Sequence, residues 1–282
     1  MFSSRPFIFR GSTWTIAALA AATVITSMAA AVSASPELLA DYKATNYNPV
    51  TGVWSDSSGN GDNATVSTGV TAPTLISNAT PNGSSAVSFS GNNSYLDITT
   101  GLADGSGYTV LAFAEPTGIA SGPAWAVVGG GPGAMEYRFQ QQSGTGNIQV
   151  LLKTDTLAYG TSNTGVSGTA FSMVGVATDN TGNATFYLNG KADGTTTGTN
   201  AFSAPVDLLG ATDSGAGATP AEFFLGDIAE IQIYSGVLSG AQIQAVNQSF
   251  INDYVNPVPE PAALAVMVAG TSGLLLLKRR RS

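Results

Sequence analysis

Between residues 35 and 256 the chain alternates short runs of apolar and polar positions with turn residues. The runs read AVSFSG, YTVLAFAEP, EYRFQQQ, NIQVLLK, FSMVGVATD, ATFYLNG and FFLGDIAEIQIY. They are rich in Val, Ile, Phe and Tyr, and Gly or Asn bounds most of them. Such period-two alternation predicts half-buried β-strands. In NIQVLLK, Ile148, Val150 and Leu152 share one face, with Gln149, Leu151 and Lys153 on the other. In AEIQIY, Ala229, Ile231 and Ile233 oppose Glu230, Gln232 and Tyr234. Sheets with one packed and one wet face give an all-β sandwich. Asn189-Gly190 suits the two positive φ angles of a type I′ hairpin turn. The Gly-rich stretches 192–200 and 211–219 read as loops, and no repeat of fixed period occurs.

One segment changes period. Ser239 and Gln242 make a capping box, and Ile243, Val246, Phe250, Ile251 and Tyr254 then share a helical stripe. That predicts one short C-terminal helix packed on the sandwich.

The ends follow another pattern. Arg5 and Arg10 precede an apolar stretch from Trp14 to about Ala31, and Val32-Ser33-Ala34 follows. This is the layout of a secretory signal peptide, cut after Ala34. At the other end Ala262 to Leu277 is an apolar run of 16 residues, interrupted by Gly270-Thr271-Ser272-Gly273. As a helix it is roughly 24 Å long, short of a hydrocarbon core of about 30 Å. Lys278-Arg279-Arg280-Arg281 follow and would stay cytoplasmic. The expected division is signal peptide 1–34, sandwich 35–256, and a tail 257–282 with a transmembrane helix over 262–277.

Composition narrows the chemistry. The chain has 282 residues and neither Cys nor His. Catalysis by Ser-His-Asp or Cys-His groups is therefore excluded, as are zinc sites built on His or thiolate. The body carries 4 basic and 17 acidic residues, a net charge of −13. Such a body is no partner for nucleic acid, whose affinity rests on Lys and Arg neutralising phosphates. Without disulfides its core must come from size, and 222 residues suffice for one sandwich.

Two resemblances add to this reading. Val258-Pro259-Glu260-Pro261, an apolar helix and an Arg-rich end are similar to the PEP-CTERM sorting signal of Gram-negative bacteria. The resemblance implies an exosortase-type membrane protease as partner, after the general secretion machinery and signal peptidase. It also implies transient anchoring in the inner membrane, then delivery to the cell envelope, surface or extracellular matrix. The body resembles a laminin-G-like domain of the concanavalin A-like lectin/glucanase superfamily. The stretches that carry this are VWSDSSGNGDNAT, SAVSFSGNNSYLDI, YTVLAFAEP, FSMVGVATDNTGNATFYLNGK and FFLGDIAEIQIYSGVLSGAQIQAV, in that order. It implies a jelly roll of two antiparallel sheets that binds carbohydrate or matrix, with a polysaccharide as ligand. Ala229, where many relatives carry Asp, departs from the pattern, as does the missing Trp-His pair in FSMVGVATD.

Candidate chemistry is sparse. The superfamily's glucanases set carboxylates along one strand as Glu-x-Asp-x-x-Glu. The nearest set here is Glu222, Asp227 and Glu230, and on a flat strand the last two face apart. The expectation is a non-catalytic module, with a glycoside hydrolase or lyase, or a ligand-free matrix protein, as alternatives. Asp56, Ser58 and Asn60 alternate before Gly61, like the first half of a calcium loop. Ser67 stands where that loop's bidentate Glu would be, so Asp41, Asp227 or Glu230 would have to join. The alternative is a turn held by side-chain-to-backbone bonds, which Asp179, Thr181 and Asn183 also suit. Trp54, Trp125, Tyr95, Tyr137 and Tyr159, with Arg138, Gln140 and Gln149, are candidates for a sugar platform on a concave face or for packing.

Overall fold

The computed structural model describes residues 35–102, 107–117, 125–130, 135–139, 147–152, 158–166, 168–181, 183–197, 205–213 and 219–257. The expected signal peptide, the motif Val258 to Pro261, the apolar run 262–277 and the cluster Lys278 to Arg281 lie outside these residues. Among the described residues no helix is long and apolar enough to cross a membrane.

The strands follow in chain order. β1 (Leu38–Lys43), β2 (Tyr47–Asn48), β3 (Val53–Trp54), β4 (Ala64–Thr65), β5 (Thr74–Ile76) and β6 (Ala86–Ser90) come first. Next are β7 (Leu96–Leu102), β8 (Gly107–Pro116), β9 (Trp125–Gly129), β10 (Met135–Phe139), β11 (Asn147–Leu152), β12 (Ala158–Gly165) and β13 (Ser172–Asp179). Then come β14 (Ala184–Leu188), β15 (Lys191–Thr196), β16 (Val206–Leu209), β17 (Thr212–Asp213), β18 (Pro220–Ala221) and β19 (Leu225–Ser235). Helix α1 (Gly240–Tyr254) closes the described chain.

Two antiparallel sheets form the sandwich. The first runs β15-β14-β13-β8-β19-β6-β5, with β1 also paired to β19. The second runs β12-β11-β10-β9-β16-β7-β4-β3-β2, and β17 and β18 make a small ribbon. β19 is the pivot of the first sheet. β8 lies along one side of it, while β6 and β1 share the other, at Leu225–Ile228 and Glu230–Tyr234 respectively. The expected hairpin joins β14 to β15, with Asn189 and Gly190 at φ 48° and 77° and Leu188 opposite Lys191.

The main core lies between the sheets. Tyr42, Trp54, Phe89, Leu96, Val110, Phe186, Phe224, Ile231 and Ile233 are all buried there. Trp54 is its largest member. Its indole N–H donates to the Lys43 carbonyl at 2.7 Å, and its ring packs against Tyr42, Tyr47 and Phe89. A second apolar layer forms where α1 lies on the outer face of the first sheet. Ile243, Phe250 and Tyr254 meet Leu111, Phe113, Met173 and Tyr187 there. The helix starts as expected. The Ser239 hydroxyl accepts from Gln242 N–H, and Gln242 Oε1 accepts from Ser239 N–H.

Candidate functional site

The polar face of β19 departs from simple alternation. Ile228 pairs with Ala114 and Glu230 with Phe113, so Ala229 is an extra residue in a β-bulge. The bulge has two effects. Ala229 packs in the layer beneath α1, not with Ile231 and Ile233 in the main core. Asp227 and Glu230 also come onto one face of the sheet, because their partners Glu115 and Phe113 lie two apart on β8. The expectation that they face apart is therefore corrected by the inserted residue.

That face carries a buried polar cluster. Register sets Asp41 opposite Gln232 and Lys43 opposite Glu230. Glu230 is 1% exposed and Asp41 6%. Glu230 Oε1 accepts from Gln232 Nε2 at 2.6 Å, and its Oε2 accepts from the Tyr254 hydroxyl at 2.5 Å. The Tyr234 hydroxyl donates to Gln232 Oε1 at 2.6 Å. Lys43 Nζ lies 3.8 Å from Glu230, 3.9 Å from Asp253 and 4.0 Å from Asp41. Burial, then the neighbouring Glu230, push the Asp41 carboxyl up to about 7, against the pull of Lys43. Burial and the Glu230 carboxylate push the Tyr254 hydroxyl far up as well. Sequence reasoning missed this cluster, although both Asp41-x-Lys43 and Glu230-x-Gln232-x-Tyr234 are alternating polar runs.

Farther along the face, Asp227 pairs directly with Glu115. Both are half-buried. Their Cβ atoms stand roughly 5 Å apart at such a cross-strand pair. Burial and the Asp227 charge raise the Glu115 carboxyl above its usual range. Glu222 lies before β19 at φ 52°, and its carbonyl accepts from Ala126 N–H.

The loop at Asp56 is knotted onto β1. Asp56 accepts five hydrogen bonds, from the N–H groups of Asp41, Ser58, Gly61 and Asp62 and from the Ser58 hydroxyl. The Ser58 hydroxyl lies between Asp56 Oδ2, at 2.6 Å, and the Leu39 carbonyl, at 3.1 Å. Asn60 Nδ2 donates to the carbonyls of Leu38 and Leu39. Burial raises the Asp56 carboxyl, but the bonds from Ser58, Asp41 and Asp62 outweigh it and hold the group below its usual range. Calcium needs oxygens with free lone pairs. Here the Asp56 carboxylate is saturated, Asp62 Oδ1 accepts from the Thr100 hydroxyl, and the Asp41 carboxyl belongs to the Glu230 cluster. The donors as arranged do not fit the ion. Among the described residues no group of three acidic side chains is placed to hold a metal. Asp179 works similarly. It accepts from Thr181 and Asn183, and Asn183 Nδ2 also reaches the Thr181 hydroxyl.

Three of the candidate sugar platforms are packing residues instead. Trp54 and Tyr137 are 0% exposed and Tyr95 is 8%. Tyr95 stacks on Phe223 at 5.9 Å. Rings so enclosed present no face to a ligand. The side chains of Trp125, Arg138, Gln149 and Tyr159, and all of Gln140, lie outside the described residues.

A family model described as the concanavalin A-like lectin/glucanases superfamily (Laminin_G_3) matches residues 90–244. Among curated proteins none matches the chain. Solved structures do. Domain 4 of AbnA, an extracellular GH43 arabinanase from Geobacillus stearothermophilus in complex with arabinotriose, is similar with a TM-score of 0.51 and 20% identity. The match covers 76% of this chain and 100% of that one. The binding domain of Paraclostridial Mosquitocidal Protein 1 gives 0.55 and 13%, covering 77% and 53%. The ligand binding domain of Botulinum neurotoxin serotype D, in complex with N-acetylneuraminic acid, gives 0.53 and 15%, covering 79% and 54%. The chain thus spans about half the length of the two toxin domains. At these identities the likeness is one of fold.

Proposed function

Because the chain belongs to the concanavalin A-like lectin/glucanases superfamily, we propose that it is a non-catalytic carbohydrate-binding module that works outside the cell. The observation that carries this reading is the shared sandwich of two domains whose structures hold a sugar, arabinotriose in one and N-acetylneuraminic acid in the other. The carboxylates support it too. Asp41 and Glu230 are sealed beneath α1 and tied to Tyr254, Gln232 and Lys43. A glycosidase needs its pair in an open groove, flanking the scissile bond.

The address comes from the sequence alone. In this reading residues 1–34 are removed on export, 35–256 form the module, and 257–282 serve as the sorting tail. An exosortase-type protease acts at the tail, and the module reaches the envelope, surface or extracellular matrix of a Gram-negative bacterium. Its ligand there is a polysaccharide.

One observation favours a second reading. Glu115 and Asp227 oppose each other on an outer sheet face, and a glycosidase works with two facing carboxyl groups. The two readings separate in one experiment. The full chain is incubated with immobilised arabinan, sialylated glycans and bacterial exopolysaccharides, and both retention and release of reducing sugar are measured. Retention without release is expected. Release that vanishes in E115Q and D227N would establish the hydrolase. Neither retention nor release would leave a structural matrix protein.

A further inference from the structure

The cluster beneath α1 has more negative groups than its cation can serve. Asp41 comes from β1, Glu230 from β19 and Asp253 from α1, and Lys43 Nζ stands 3.8 to 4.0 Å from all three. β19 and α1 also bring the hydroxyls of Tyr234 and Tyr254, and the loop after β3 brings Asp56 behind Asp41. β8 faces the cluster with Phe113 and Leu111, and its Glu115 lies farther along the same face, opposite Asp227. Both oxygens of Glu230 already accept a hydrogen bond. Asp41 Oδ1 is buried and no donor reaches it. An acceptor in that state is costly when it carries charge and relieved when it carries a proton.

We propose that the seat of α1 is an acid-favoured latch, in which the buried Asp41 carboxyl, beside the Glu230 carboxylate, holds a proton whose loss loosens the helix's C-terminal turn. With the proton, the cluster has two negative charges against Lys43. Without it there are three, directly below the carbonyl end of a helix whose dipole is already negative there. Tyr254 makes the link, since its ring packs on Phe113 at 5.4 Å while its hydroxyl holds Glu230. The opposing tether does not titrate. Asn82 and Ser84 donate to the carbonyls of Asp253 and Tyr254.

The sign follows from linkage. Asp41 sits near 7 when the helix is seated and returns toward 3.8 when it is not. The raised group therefore favours the seated form below that range, and the advantage fades as pH rises through 7. Between pH 5.5 and 8.5 the opening equilibrium should rise roughly 30-fold if release of α1 restores the ordinary value.

Hydrogen exchange of the full chain tests this, read at the amides of residues 250–256 and corrected for intrinsic chemical rates. The expected result is a rise in exchange with a midpoint near pH 7, while β8 and β13 amides stay protected. Asp41→Asn, which keeps the uncharged form at every pH, should flatten the profile. Equal protection at both pH values would overturn the latch. So would a midpoint well above 7, or a wild-type profile in a folded Asp41→Asn protein. If that variant does not fold, the wild-type midpoint decides alone.

Discussion

Asp41 and Asp56 are joined by one hydrogen bond, from Asp41 N–H to Asp56 Oδ1, yet their carboxyls are driven in opposite directions. The difference is one of donors. Asp56 collects five, whereas Asp41 has burial and a second carboxyl. Asp56 therefore stabilises the fold above the ordinary carboxylate range, and that contribution is lost as pH falls through its lowered folded value. Asp56→Ala strands the N–H groups of Asp41, Ser58, Gly61 and Asp62, and should cost about 2 kcal/mol in denaturant unfolding at pH 7. Because the Asp56 carboxylate is spent on these bonds, millimolar calcium should leave the wild-type melting temperature unchanged. A calcium-dependent rise of several degrees, abolished in Asp56→Ala, would show a metal site after all. The sequence displayed the spacing of Asp56, Ser58 and Asn60 plainly. It could not display where their lone pairs point, which depends on β1 passing behind the loop.

Among the elements, α1 was the most legible and β19 the least. The Ser239–Gln242 box and the stripe Ile243, Phe250, Tyr254 are local patterns, and local patterns survive in the fold. Ser239→Ala should lower stability by about 1 kcal/mol, measured as a shift of the denaturation midpoint with unchanged slope. β19 reads as a regular alternating strand, but the bulge at Ala229 shifts its phase midway. Nothing in Ile228-Ala229-Glu230 marks that shift. It is set by the partner strands, through Ala114 and Phe113 of β8 and the change from β6 to β1 on the other side. The aromatic candidates were illegible for a related reason. Trp54 on β3 and Tyr137 on β10 lie on strands whose inward faces no local period could fix.

At the scale of the whole molecule, the serial order of degenerate stretches identified the superfamily, because order is what a fold preserves when residues drift. Site chemistry does not share that property. The Asp41–Glu230 cluster joins opposite ends of the body, and no window of sequence contains both. The itinerary proposed for the chain is open to a direct check. Intact mass spectrometry of cell-associated and released protein should find a mature N-terminus at Ser35 and loss of the residues beyond the Pro-Glu-Pro motif in the released form. Full-length mass in every fraction would overturn it.

The central place of β19 also governs when the domain can exist at all. Among the described strands it is the last to leave the ribosome, yet β8 and β6 both border it, and β1 joins the first sheet through it. A nascent chain that ends before Leu225 leaves β1 without its neighbour and leaves β8 with a bare edge. Such edges invite pairing with other chains. The first sheet therefore closes in one late event, after a contact between nearly the two ends of the body, which makes folding slow. Until then β8 and β6 each keep one edge unpaired, while the second sheet, which does not contain β19, has all its strands.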